Sequence, residues 1–273
     1  SAFTSARIIV EAAPPLSALA FRFFLSGLIG IGIALAMGQS MRLTAPQWRA
    51  VVIFGLCQNA LYLGLNFVAM QWIEASMAAI IASTMPLLVA AANWGLFRDR
   101  LPALGLTGLA AGFFGVGLIM VQRVSGGADG LGMALCLIWA VALTVATLSV
   151  RVAAQGGGNL LMIVGLQMLV GAAFLAPAAL LTETLTIAWS APLVIAFTYT
   201  TIMPGLLATL IWFWLVGRIG ATRAATFHFL NPVFGVAIAA VLLGERLSWV
   251  DGVGVAIVAA GILAVQLSRA RPA

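Results

Sequence analysis

Asn59, Tyr62 and Asn66 recur at i, i+3 and i+7 in one apolar run of this 273-residue chain, with Gln58 beside them. That spacing puts two amides and a phenol on one helical face. Such groups hold a solute by hydrogen bonding and stacking; they are poor acids, bases and nucleophiles. A later run offers a second stripe, Thr198, Thr201, Gly205, Thr209 and Trp212, and two faces of this kind can bound one cavity. Hydrogen bonds between helices explain either stripe without any solute, and both readings stand at this point. Trp139 lies deep within its run, away from the interfacial belt where tryptophan settles. It is either a stacking wall for an aromatic or apolar solute or a packed contact between helices.

Pro86, Pro204 and Pro232 each fall near the middle of an apolar run. Proline frees backbone groups that a membrane helix must satisfy elsewhere, so these three read as hinges, a tolerated kink being the alternative. The residues before them, Ser83 and Met85 in one case and Asn231 in another, are then expected at mid-membrane, where carrier sites lie. His228 is the only histidine; it is the main titratable candidate if protons are coupled, and otherwise a neutral, hydrogen-bonded structural residue. No Asp or Glu is expected to share the hydrocarbon with it. Arg22, toward one end of its run, is expected to snorkel or to bond loop carbonyls.

An uncharged cavity follows from this reading. A bare charge at the bilayer centre costs on the order of 3 kcal/mol, which disfavours cargo of net charge. A zwitterionic amino acid fits, because its ends can meet freed helix carbonyls, helix N-termini and amides such as Asn59 and Asn231. One histidine and two separate cysteines, Cys57 and Cys136, supply no cluster for catalysis or metal binding. No enzyme activity, metal or cofactor is expected. A channel would call for rings of charge or a carbonyl filter, and neither pattern is visible.

The elements that must position these residues follow from composition. Only 7% of the chain is charged and 63% is hydrophobic, against roughly 25% charged in an ordinary soluble domain. Its partners are therefore the lipid bilayer and a small neutral organic solute. All 13 cations are Arg, scattered singly or in pairs, which excludes the gathered basic face that nucleic acid requires. Cutting the chain at charges, prolines and glycines leaves a short apolar start before Glu11, then runs near 16–37, 47–70, 74–97, 102–122, 130–154, 159–182, 190–216, 220–243 and 248–268. Each later run suffices to cross about 30 Å of hydrocarbon. The expected fold is all-α, with ten transmembrane helices joined by short linkers, the longest at 38–46 and 123–129. Arg42, Arg49, Arg98, Arg100, Arg151, Arg218, Arg223, Arg269 and Arg271 gather on one side, which marks that side, and both termini, as cytoplasmic.

Sliding the chain against itself by 146 residues lays Ile73-Glu74-Ala75 on Ile219-Gly220-Ala221, Pro86 on Pro232, Asp99-Arg100-Leu101 on Glu245-Arg246-Leu247, Gly108 on Gly254 and Gly115 on Gly261. A slip of one or two residues brings Arg7 onto Arg151 and Gly27 onto Gly171. Each half, 1–122 and 130–268, is then a five-helix unit. Because five is odd, the second unit is inverted relative to the first, the arrangement that lets a carrier expose a central site to alternate sides. The sixth run holds residues, including Trp139, that precede the point matching Ser1, so the first helix is expected to be truncated at its N-terminus.

Gly220-Ala-Thr-Arg-Ala-Ala, then Asn231-Pro232, then Leu243-Gly244-Glu245-Arg246-Leu247 and the glycines of the last run resemble the EamA-type transporters of the drug/metabolite transporter superfamily. Pro14-Pro15 followed by Arg22, and the first-half copy Arg98-Asp99-Arg100-Leu101, extend the likeness over nearly the whole chain. The resemblance implies a bacterial inner-membrane carrier, commonly an exporter of amino acids or other small metabolites; other apolar metabolites or drugs are the alternative cargo, and a monomer is one open oligomeric state. It is most similar to the YddG-type aromatic amino acid exporters.

Overall fold

In hydrocarbon every backbone N–H and C=O must be satisfied internally, so apolar runs of this length are expected as helices. The computed structural model describes residues 1–82, 85, 87–88, 91, 94, 102–125, 134–135, 138–139, 141–146, 159–219, 230–245 and 248–270, and among them there is no strand. The helices are α1 (Ala2–Ala12), α2 (Pro15–Ala36), α3 (Ala45–Ala69), α4 (Ala75–Ala82), α5 (Ala103–Ser125), α6 (Leu160–Thr182), α7 (Ala191–Arg218), α8 (Leu230–Leu243) and α9 (Trp249–Ala270). Residues 141–146 are helical as well. Five of these helices, α2, α3, α6, α7 and α9, are long and apolar enough to cross a membrane. Shorter apolar stretches lie at Ala103–Ile119 and Phe234–Leu243. Phe21, Phe24, Leu28 and Ile33 of α2 and Val194, Ile195, Ile211 and Trp214 of α7 stand exposed, as a lipid-facing surface demands and a water-facing one forbids.

Helix starts carry their own signals. Thr44 opens α3 with a capping box, its side chain accepting from the Gln47 N–H while Gln47 accepts from the Thr44 N–H, which satisfies two orphan donors at once. Pro46 therefore belongs to the first turn of a helix and not to a linker, because a residue there needs no N–H for the ladder. At the other expected linker, α5 continues through Arg123 to Ser125. Gly38, at φ 76°, closes α2 in the left-handed conformation that glycine tolerates.

Glycines set the closest helix crossings. A Cβ on Gly261 of α9 would come within 2.6 Å of the Gly108 carbonyl oxygen of α5 and 2.7 Å of the Gly112 nitrogen. Reciprocally, a Cβ on Gly108 would lie 2.7 Å from the Gly261 oxygen, and one on Gly115 would lie 3.1 Å from the Gly254 oxygen. Position 108 thus faces 261 while 115 faces 254, so α5 and α9 cross antiparallel, backbone against backbone. α2 and α6 do the same: Gly27 meets Leu169 and Gly165, and three residues later Gly30 meets Gly165. Small residues permit this approach where lipid supplies no hydrophobic drive between helices.

Each of α2 and α6 also caps the start of the other. Gln39, just past α2, accepts a hydrogen bond from the Met162 N–H (3.0 Å) at the start of α6. Glu183, just past α6, accepts from the Leu16 and Ser17 N–H groups (2.8 Å each) and from the Ser17 hydroxyl (2.7 Å) at the start of α2. Glu245 likewise accepts from the Ala75 and Ser76 N–H groups of α4 (2.8 and 3.0 Å). These side chains meet the unpaired donors of a helix N-terminus, where negative charge is favoured.

Alanine at an open helical glycine stabilises by roughly 0.5–1 kcal/mol. At Gly261 the added methyl meets backbone that cannot rotate away, so Gly261→Ala is expected to lower stability by about 1–3 kcal/mol. Gly252, where an added Cβ would meet nothing within 4 Å, is expected to tolerate Ala without loss. Thermal unfolding of both variants in detergent checks this; equal midpoints would show that the crossing is not tight.

Candidate functional site

A cavity of about 490 Å³ opens between α1, α2, α3, α7 and α8. The ladders of α3 and α7 both widen beside it. Gly55–Leu63 in α3 and Thr201–Leu207 in α7 are π-helical, the form of turn that shifts side chains off the ordinary helical register and recurs at functional sites. In α7 the cause is Pro204, which donates nothing to the ladder. The π turn of α3 contains no proline, yet it delivers Gln58, Asn59, Tyr62 and Leu63 to the same wall.

Gln58, Asn59, Tyr62, Asn66, Met85 and Trp212 all line this cavity, as does Pro204. The α3 stripe and two members of the α7 stripe, Thr209 and Trp212, are therefore brought together. Asn59 is not free to serve a solute with its whole amide: its Nδ2 donates to the Gln167 backbone oxygen (2.9 Å) and to Gln167 Oε1 across α6. Trp139 stands one layer behind the wall. It is fully buried, and its ring tilts against Tyr62 with centroids 5.0 Å apart. Thr201 is buried outside the wall, its hydroxyl donating to the Phe197 carbonyl (2.7 Å) and its own carbonyl accepting from Ser26 Oγ (3.0 Å). Ser83, Pro86 and His228 lie outside the described residues, as do the side chains of Asn231 and Pro232.

Arg22 corrects the expectation of an uncharged chamber. It neither snorkels nor bonds loop carbonyls: it is 4% exposed and lines the cavity. Its Nη2 lies 3.1 Å from where a Cβ on Gly205 would stand, so the absence of a side chain at that π turn leaves room for the guanidinium. Among the described residues it has no hydrogen bond and no ion pair, and its Nε is buried without a partner. Among the described residues its favourable electrostatic contact is the Phe23 ring, 4.8 Å from Cζ. A cation over a ring contributes about 0.5–2 kcal/mol, whereas burying an ion costs on the order of several kcal/mol. The ring therefore does not compensate the charge. Asn66, 1% exposed, also leaves its Nδ2 donor unpaired. Around these two stand Phe23, Phe54, Phe67 and Trp212, an apolar and aromatic surround.

No group of three His, Cys, Asp or Glu side chains able to hold a metal occurs among the described residues. Burial of Arg22 left no signal in the sequence, because an arginine seven residues into a span snorkels or not according to neighbours on other helices.

The EamA-like transporter family model matches this chain twice, over residues 1–121 and 128–267, and the chain belongs to that family. It is similar to the uncharacterized transporter YvbV of Bacillus subtilis strain 168, 26% identical over 236 residues, covering 86% of this chain and 77% of YvbV. It is also 26% identical over 273 residues to the uncharacterized inner membrane transporter YedA of Escherichia coli K12, covering 96% and 85% of the two chains. A crystal structure superposes with a TM-score of 0.68 over 97% of both chains at 21% identity, which shows a shared fold.

The two tryptophans should differ in kind. Trp139→Ala empties a buried site and is expected to cost roughly 3–5 kcal/mol, while Trp212→Ala, at the cavity surface, should cost much less. Thermal midpoints in detergent separate them; equal losses would place Trp139 and Trp212 in the same layer.

Proposed function

We propose that this chain is an alternating-access exporter of small solutes of no net charge, amino acids including aromatic ones, in a bacterial inner membrane. The observation that carries this reading is the cavity itself: about 490 Å³, walled by amides, a phenol and aromatic rings, within a chain of a transporter family. A phenylalanine-sized solute needs an apolar surround for its ring and a few placed polar groups for its ends, the usual composition of a small-molecule pocket. The resemblance to YddG-type exporters supports the aromatic preference.

The full architecture we propose has ten spans with both termini cytoplasmic, arranged as two inverted five-helix units, 1–122 and 130–268. The antiparallel crossing of α5 with α9 supports the inversion, since Gly108 and Gly115 are the repeat equivalents of Gly254 and Gly261. Two such units related by an in-plane pseudo-two-fold can exchange conformations and so open one site to either side. Pro204 and the repeat-related Pro86 and Pro232 supply the points of bending. The reading is of a carrier and not an enzyme, with no cofactor and no nucleic-acid partner.

Purified protein in liposomes loaded separately with labelled phenylalanine, threonine, a nucleobase and a cationic dye tests this. Saturable flux of phenylalanine is expected, severalfold lower in Gln58→Ala and Trp212→Ala proteins whose thermal midpoints are unchanged. Saturable flux of the dye or nucleobase with none of either amino acid would reassign the cargo.

A further inference from the structure

We infer that Arg22 is the carboxylate-recognising group of the cavity, so that the cargo must present a carboxylate to this wall of α2. The inference deepens the proposed transport of amino acids and rests on it only for the identity of the solute. Two observations carry it. Arg22 is more than nine-tenths buried, lines the chamber, and has no acceptor within the described protein. Asn66, on α3 and lining the same cavity, holds a second donor without an acceptor. The chamber thus has an excess of donors, one of them charged, and no Asp or Glu among its described lining residues. A guanidinium accepts nothing and offers a planar fork of N–H groups, the shape that a carboxylate meets with two parallel hydrogen bonds.

The protein's own geometry keeps this fork available. Ser26, one turn further along α2, uses its hydroxyl on the Thr201 carbonyl (3.0 Å), and Thr200 uses its own on the Ala196 carbonyl (2.6 Å) and Ser5 Oγ (2.7 Å). Neither hydroxyl makes a hydrogen bond to Arg22. The second half has no counterpart: the residues 144, 145 and 146 positions on are Leu166, Gln167 and Met168. The cation is a feature of one wall and gives the site a polarity that the duplication alone would not. A bound zwitterion would set its carboxylate on Arg22 and leave its ammonium to aromatic faces such as Tyr62 and Trp212, which attract cations. A simple monocarboxylate would use the first contact only.

Ligand protection of purified, detergent-solubilised full chain against thermal unfolding reads this directly, since a solute that binds the folded state raises its midpoint. Three probes share one ring: L-phenylalanine, 3-phenylpropionate and phenethylamine. Wild type should be protected by the two carboxylates and not by the amine. In Arg22→Gln the concentration of either carboxylate needed for half-maximal protection should rise by at least about tenfold, as expected for losing a charge-assisted contact, and Arg22→Lys should recover part of it. Protection by 3-phenylpropionate but not phenylalanine would retain the Arg22 contact and remove the amino-acid reading. Equal protection of wild type by phenethylamine, or by none of the three, would overturn the inference. So would an Arg22→Gln protein with a wild-type unliganded midpoint and unchanged carboxylate protection. Should Arg22→Gln fail to fold, the wild-type comparison with the amine still decides.

Discussion

Backbone contact at glycine is the constraint from which the rest of the arrangement follows. In lipid, helices gain little from apolar burial against one another, so they hold by close dispersion contact, and contact closes fully only where side chains are absent. Gly108 against Gly261 and Gly115 against Gly254 bring α5 and α9 together; Gly27 and Gly30 against Gly165 do so for α2 and α6. Both pairs run antiparallel. With those two seams closed, the capping side chains Gln39 and Glu183 arrive at the opposite ends of α2 and α6 and fix the axial register. α3 and α7 are left to line a chamber, each through a widened π turn.

On the proposed function, that chamber holds a solute that binds and leaves. Its rings and amides offer contacts of modest strength, and the unpaired guanidinium of Arg22 supplies the one strong preference. A buried ion without a partner is a cost to the empty protein. A ligand bearing the complementary charge relieves it, so binding free energy is concentrated at a single contact. Asn59 belongs to the scaffold as much as to the wall, because its amide is tied to Gln167 of α6. Trp139 braces Tyr62 from behind.

Much of this was legible beforehand. The expected runs 16–37, 159–182 and 248–268 match α2, α6 and α9 to within two residues at each end. They were readable because hydrocarbon thickness imposes length and prolines and glycines punctuate. Gln58, Asn59, Tyr62 and Asn66 did share one wall, since polar groups in an apolar helix must turn from lipid. Other features depend on partners distant in the chain. The Glu183 cap lies 167 residues from Leu16, and nothing local to either residue announces it. The π turn of α3 has no proline to signal it. The burial of Arg22 is decided by the bare Gly205 on another helix, which is why it reads as a snorkelling residue when α2 is considered alone.

The most direct test is the sidedness of two equivalent helix ends. In a protein without its native cysteines (Cys57→Ala, Cys136→Ala), Ser40→Cys past α2 and Thr184→Cys past α6 are exposed singly to a membrane-impermeant thiol reagent in right-side-out vesicles. Labelling of Thr184→Cys in intact vesicles, and of Ser40→Cys only after permeabilisation, is the expected result. Labelling of both from the same side would contradict antiparallel halves and the carrier built on them.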